Sequence, residues 1–292
     1  MNNPVIDVRN VSKNFKEKII LKDLSLVVPQ GSVFGLLGKN GSGKTTLIKS
    51  ILGLLRVKSG EIMTLGDNPW EFSDENKAKL GYVPQADRMY PWLTVSQLID
   101  YTASFYSHWN SALVNKLLYE WEVNGEDKVG LLSEGQAQKL SIILSLGHEP
   151  QLLVFDEPVA SLDPLSRRKF LKTILDIIAD RECTIFFSTH ITSDIERVAD
   201  RVAILKNGQI DFCGELDSLK DEVKRLRVTT KDNTLEDFNF EGILSCEKSA
   251  NEAIVSVRGF DETMKVFIEK TWDAKVTIED LNLEEIFLEL NR

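Results

Sequence analysis

Gly38-Lys39-Asn40-Gly41-Ser42-Gly43-Lys44-Thr45, with Thr46 next, is the stretch that decides the fold. Its glycines permit positive-φ turns and let backbone N–H groups wrap an anion. Ser32 to Leu37 ahead of it is short, apolar and strand-like. Lys44 to Leu55 behind it has helical spacing, with Leu47, Ile48, Ile51, Leu52 and Leu55 on adjacent faces. A strand, a glycine loop and a helix in that order open a nucleotide-binding α/β sheet. The helix aims its positive dipole end at the same anion. On this pattern Lys44 would bridge the β- and γ-phosphates of a nucleotide, and Thr45 would offer its hydroxyl to Mg²⁺.

Further along, Leu152-Leu153-Val154-Phe155-Asp156-Glu157 reads as an apolar strand ending in two carboxylates. At the tip of a parallel strand Asp156 can hold the Mg²⁺ shell. Glu157, one step on, can accept a proton from an attacking water. Leu132-Ser133-Glu134-Gly135-Gln136 lies upstream, with Ser133 standing 23 residues before Asp156. Ser161-Leu162-Asp163 follows the carboxylates at once. His190 comes 33 residues after Glu157, just past the strand ending Phe187-Ser188. Gln85 closes the turn Tyr82-Val83-Pro84-Gln85. In this order, over roughly residues 4 to 215, the motifs closely resemble the nucleotide-binding subunit of ABC transporters.

The resemblance implies a P-loop NTPase of the ABC ATPase type, with a mixed-sheet core and a helical lobe at about 87–150. Two such subunits would pair head to tail and sandwich two ATP molecules. Ser133, Gly135 and Gln136 of one chain would then touch the ATP held by the phosphate loop of the other. Phe15 would stack on adenine. Gln85 would touch Mg²⁺ or the lytic water and couple the site to the membrane partner. His190 would contact the γ-phosphate and orient Glu157, and Asp163 would sit at the dimer seam. One position departs from the family: Glu134 stands where the first of two glycines is usual. A carboxylate is welcome at a helix start, so Glu134 is expected to point to solvent.

The surroundings bound the function. The 292 residues suffice for one α/β domain, expected over 1–221, and a small α+β appendix over 222–292. A net charge of −10 repels phosphate backbones, so no nucleic-acid partner is expected. The three cysteines, Cys183, Cys213 and Cys246, lack metal-ligand spacing. No apolar run reaches the roughly 18 residues that a membrane helix needs. Met1 to Asp7 has no basic run followed by an apolar core, so no secretory signal is expected. A cytoplasmic protein, peripheral on the inner face of the cell membrane, follows, with its permease on a separate polypeptide.

Soluble ABC ATPases that act on DNA or ribosomes are the alternative. Only 48 residues separate Gln85 from Ser133, too few for the coiled-coil insert of the DNA-acting type. The ribosome-acting type carries two cassettes, and this chain has one. Asn282-Leu283-Glu284-Glu285-Ile286-Phe287-Leu288-Glu289-Leu290 resembles the close of ATPases paired with ABC-2 type exporter permeases. Ser104-Phe105-Tyr106 and Trp109-Asn110 also look like that branch. It implies export of an antibiotic, a peptide or a lipid-like cargo. The loop Ala86-Asp87-Arg88-Met89-Tyr90-Pro91-Trp92 carries three large apolar side chains, either as local core or as a groove for a permease helix.

Overall fold

The computed structural model describes residues 4–85, 89–180, 183–230, 235, 238–249 and 251–292, and for 178–180 the backbone alone. Ala86, Asp87 and Arg88 of the loop after Gln85, and the first three residues of the chain, lie outside these. Two compact units emerge, one running to Cys213 and one from Gly214 to Arg292.

In the first unit the elements are β1 (Ile6–Phe15), β2 (Lys18–Val28), β3 (Val33–Leu37), α1 (Lys44–Ile51), β4 (Ser59–Thr64), α2 (Asp74–Ala78), β5 (Leu80–Val83), α3 (Val95–Ala103), α4 (Ser111–Glu120), α5 (Glu134–Leu146), β6 (Leu152–Asp156), α6 (Pro164–Asp180), β7 (Thr184–Thr189), α7 (Thr192–Val198), β8 (Arg201–Lys206) and β9 (Gln209–Glu215). They build an antiparallel sheet in the order β2-β1-β4 and a six-stranded sheet in the order β5-β6-β7-β3-β8-β9. Strands β5, β6, β7, β3 and β8 run parallel. Every residue of β3, β6 and β7 is buried, as strands covered on both faces require. Val8 and Leu24 of the first sheet, Phe34 and Val154 of the second, and Leu47 and Ile48 of α1 share one core.

The register of the parallel strands positions the motifs. Leu37 lies opposite Thr189, Asp156 opposite Ser188, and Val83 opposite Phe155. The phosphate loop, Glu157, His190 and Gln85 therefore all leave the sheet at its carboxyl edge, where ligands of open α/β sheets bind. Two local expectations change. Tyr82 and Val83 are not in a turn, since they end strand β5. Helix α1 stops at Ile51, short of Leu55, because Gly53 takes φ 69°. A Cβ at Gly53 would stand 1.9 Å from the Pro69 carbonyl oxygen, so no other residue fits this crossing.

The second unit comprises α8 (Leu216–Glu222), β10 (Val223–Thr230), β11 (Ile243–Lys248), β12 (Glu252–Arg258), α9 (Glu262–Thr271), β13 (Ala274–Asp280) and α10 (Leu283–Leu290). Its antiparallel sheet runs β11-β12-β10-β13. Leu226, Val228, Val255, Val257 and Ile268 fill its core with Phe238. The small unit begins ahead of the boundary expected at 222, because α8 is tied to its frame. Arg258 Nε donates to Glu222 Oε1 at 2.7 Å, and the Phe260 N–H donates to the Glu222 carbonyl at 3.0 Å. Leu283, Ile286 and Leu290 of α10 are buried, while Leu288 is exposed. No helix among the described residues is long and apolar enough to cross a membrane.

Candidate active site

The phosphate loop leaves β3 after Leu37 and enters α1 at Lys44. Gly41 and Gly43 hold φ of 80° and 113°, a region open to glycine at no steric cost. Gly43 caps α1 with no side-chain hydrogen bond, so no side chain competes for the N–H groups that open the helix. Lys44 Nζ donates to the carbonyls of Gly38 at 2.7 Å and Lys39 at 3.5 Å. Folded back in this way, its side chain is only 7% exposed.

The acidic end of β6 meets this lysine. Glu157 Oε1 stands 3.2 Å from Lys44 Nζ, and both side chains are buried. No aligned hydrogen bond reaches Oε1, so the contact is electrostatic. Glu157 Oε2 lies 2.8 Å from His190 Nδ1 and accepts from the His190 N–H at 3.3 Å. One carboxylate thus spans the lysine and the histidine. Glu157 takes φ 53°, a strained conformation for a residue with a side chain. Its N–H donates to Ser188 Oγ at 3.2 Å, and that hydroxyl donates onward to Asp156 Oδ1 at 2.7 Å. Asp156 Oδ2 is buried without a hydrogen-bond partner.

A cavity of about 410 Å³ opens above these groups. Asn40, Gly41, Gly43, Lys44, Thr45, Thr46, Gln85 and Glu157 line it. Lys18 and Ile20 line it as well, two residues of β2 that the sequence reading passed over. Their alternation reads as an ordinary strand, and only tertiary pairing shows where β2 passes. Gly38, Lys39, Ser42, Asp156 and His190 are not on this wall. Phe15, at the end of β1, is 48% exposed, with Lys13 Nζ 5.1 Å over its ring. Lys13 occupies one face, as a cation–π pair does. A second cavity of about 450 Å³, lined by Arg56, Lys58 and Trp70 among others, contains none of the motif residues.

The ABC transporter ATP-binding protein YtrB of Bacillus subtilis is 30% identical over 290 residues, covering 97% of each chain. The chain belongs to the ABC transporter family, as an ATP-binding subunit. The family model described as ABC transporter matches residues 21–160. The Nod factor export ATP-binding protein I of Bradyrhizobium diazoefficiens is 34% identical over 227 residues, 76% of this chain and 74% of that one. A solved ATP-binding subunit of an ABC transporter superposes with a TM-score of 0.68 at 29% identity, covering 74% of this chain and 92% of the other. This ABC subunit is accordingly an ATP hydrolase of P-loop fold.

Ser133 and Gln136 of this ABC ATPase close a capping box at the start of α5. Ser133 Oγ accepts from the Gln136 N–H at 3.3 Å, and Gln136 Oε1 accepts from the Ser133 N–H at 3.1 Å. Ser133 and Glu134 are exposed and Gly135 is partly exposed. Neither they nor Asp163 line the cavity of the same chain. Of the other histidines, His148 is buried, stacked on Tyr106 at 4.0 Å with its Nε2 3.1 Å from the Leu80 carbonyl. Burial pushes its pKa down. His108 pairs with Glu149 at 2.8 Å, away from the cavity.

Asp163 caps α6: its Oδ1 accepts from the N–H groups of Leu165 and Ser166, and its Oδ2 accepts from the Ser166 hydroxyl. The Ser166 hydroxyl first, then the Ser166 N–H, hold its carboxyl down from 3.8 to about 2. A depressed pKa contributes stability that is complete above the ordinary value and lost as pH falls through the folded one. Asn caps helices about as well as Asp, so Asp163→Asn isolates the charge. The wild-type advantage in thermal midpoint over Asp163→Asn is expected to shrink as pH is lowered from above 3.8 to about 2. A gap that stays constant over that interval would contradict the charge-based cap.

Proposed function

We propose that this chain is the motor subunit of an ABC exporter, binding Mg²⁺–ATP and driving a separate membrane permease. Thr45, Gln85 and Asp156 would hold the metal. The buried, unpartnered Asp156 Oδ2 fits an ion beside it, as do the hydroxyl and amide types of Thr45 and Gln85. Thr45, Gln85 and Asp156 would leave places in an octahedral shell for phosphate oxygens and water. When bound, Mg²⁺ neutralises charge on the phosphates.

The chain's own residues supply the rest. Lys44 exchanges the Gly38 carbonyl and Glu157 for the β- and γ-phosphates. Gly41, Gly43 and the opening turn of α1 offer N–H groups to the same anions. Phe15 offers the free face of its ring to adenine. Glu157, released from Lys44, takes a proton from the attacking water, and His190 holds its Oε2. A second ATP-binding subunit, this chain or a relative, would present Ser133, Gly135 and Gln136 to the γ-phosphate, with Asp163 at the seam. Their exposure outside the cavity of their own chain supports that role.

The observation that carries the permease is an exposed aromatic cluster. Tyr90 makes edge contacts with Trp92 at 5.5 Å and Tyr101 at 5.3 Å, and Tyr101 with Phe105 at 5.0 Å. All four rings are exposed, Trp92 and Phe105 by 67% each. The core-filling reading of this loop would bury them. Clustered aromatics in contact with water suit a helix of a partner, and Gln85 joins them to the cavity. Export is supported by the Nod factor relative and by the resemblance of the tail to the ABC-2 branch. Residence on the inner face of the membrane follows from the permease.

The test replaces Tyr90 and Trp92 together with alanine. Basal ATPase of the purified subunit is expected to survive within about twofold, while co-purification with its permease falls about tenfold or more, as loss of anchor aromatics does. Loss of thermal stability and basal hydrolysis with permease capture unchanged would return these residues to the core.

A further inference from the structure

Behind the histidine lies a charged pair that the reading above does not use. Asp194 sits in the first turn of α7, four residues after His190, and is 2% exposed. Arg167 sits in the first turn of α6, four residues after Asp163. Arg167 Nε stands 3.8 Å from Asp194 Oδ2. The Arg167 N–H donates to the Asp163 carbonyl at 2.9 Å. The Asp194 N–H donates to the carbonyl of Ile191, next to His190, at 3.3 Å, so each member is fixed to the segment just ahead of its helix.

A buried carboxylate is costly unless it is paired. Burial pushes the pKa of Asp194 up, and Arg167, then Arg197 and His190, pull it down. The strongest of these charges comes from another element, which is the arrangement expected where one helix start must be registered against another. Loss of that register would be felt at His190, whose ring is held at 2.8 Å from Glu157.

We propose that Arg167 and Asp194 are positioning residues for ATP hydrolysis: their ion pair holds the start of α7, and with it the His190 imidazole, against the Ser161-Leu162-Asp163 loop ahead of α6. A partner subunit seated on that loop thereby acts on the angle at which His190 meets Glu157. The inference rests on the reading of Glu157 and His190 as the hydrolytic pair. It concerns the chemical step and not nucleotide capture, since neither residue lines the cavity.

The test uses the full chain and four variants: Arg167→Gln, Asp194→Asn, the double variant and His190→Ala. ATP affinity is measured by equilibrium titration, hydrolysis by steady-state kinetics, and folding by thermal midpoint. Misplacement of a catalytic group by about 1 Å can cost up to about 10²-fold. A drop of about tenfold in kcat is expected for each single variant, with KM and nucleotide Kd within about twofold. The double variant should be no slower than the slower single one, because the two residues act as one unit. Arg167→Lys, which keeps a cation, should recover most of the loss.

Arg167 is about one-third exposed, so Arg167→Gln remains informative if Asp194→Asn fails to fold. A folded Arg167→Gln with wild-type kcat overturns the proposal, as do losses that multiply in the double variant. If His190→Ala hydrolyses normally, the proposal falls together with the reading of His190. If His190→Ala is inactive and Arg167→Gln is not, the proposal alone falls.

Discussion

Glu157→Gln is expected to bind ATP and to hydrolyse it about 10³-fold more slowly, within the range that a positioned general base contributes. The amide keeps the size and the hydrogen-bonding edge of the carboxylate but cannot accept the proton from water. Nucleotide affinity should not suffer. Glu157 Oε1 is the counter-charge of Lys44, at 3.2 Å. Its loss leaves the ammonium with carbonyl partners alone and so makes it readier to take phosphates. ATP should therefore accumulate on the protein and hold two chains together around it. The measurements are phosphate release under saturating ATP and molecular mass by light scattering with and without ATP. Turnover within tenfold of wild type would remove Glu157 from the chemistry.

Lys44→Ala is the second large effect: affinity for ATP should fall about 100-fold or more. Truncating one member of a buried, desolvated charge contact costs about 2–5 kcal/mol, and each 1.4 kcal/mol is a factor of ten. Lys44 is buried on the wall of the cavity, and its removal would also leave Glu157 facing the proposed phosphates without a cation between. Lys18 on the cavity wall retains some attraction for the triphosphate, so weak residual binding is expected. Isothermal titration of the two proteins side by side decides the matter, and equal affinities would refute the role assigned to the lysine.

Much of this was legible in the sequence, for a physical reason. Buried parallel strands announce themselves as unbroken apolar runs, and Val33 to Leu37, Leu152 to Phe155 and Ile185 to Phe187 are all of that kind. The glycine loop and the carboxylates are tied to the ends of those strands, so their order along the chain already orders the site. Strands β4, β5 and β11 carry no such signal. In β4 only Ile62 and Thr64 are buried, as at a sheet edge. Strand β5 has four residues and includes Gly81, where a Cβ would stand 2.7 Å from both the Ser145 carbonyl oxygen and Leu153. That requirement comes from neighbours far along the chain, and no local pattern encodes it. In β11 no residue is fully buried, so the alternation that marks a strand is absent. Lys18, Ile20, Arg167 and Asp194 were invisible for the same reason: each owes its place to a partner element and not to its own neighbours in sequence.

The contact between Lys44 and Glu157 also sets a threshold on what can dwell in the cleft. A visiting anion must outbid a carboxylate that is already in place and tethered to His190. A chloride or a lone phosphate brings one or two charges and no base to stack, whereas a triphosphate brings more charge and several oxygens at once. On the role proposed for Lys44, small cellular anions are expected to be turned away without any steric barrier. The threshold works in the other direction after the reaction. Once the terminal phosphoryl group is cut free, the remaining diphosphate competes less well, and Glu157 can reclaim its lysine. On the proposed roles of these two residues, the same 3.2 Å contact would favour the departure of spent nucleotide, and product release would become part of what it governs.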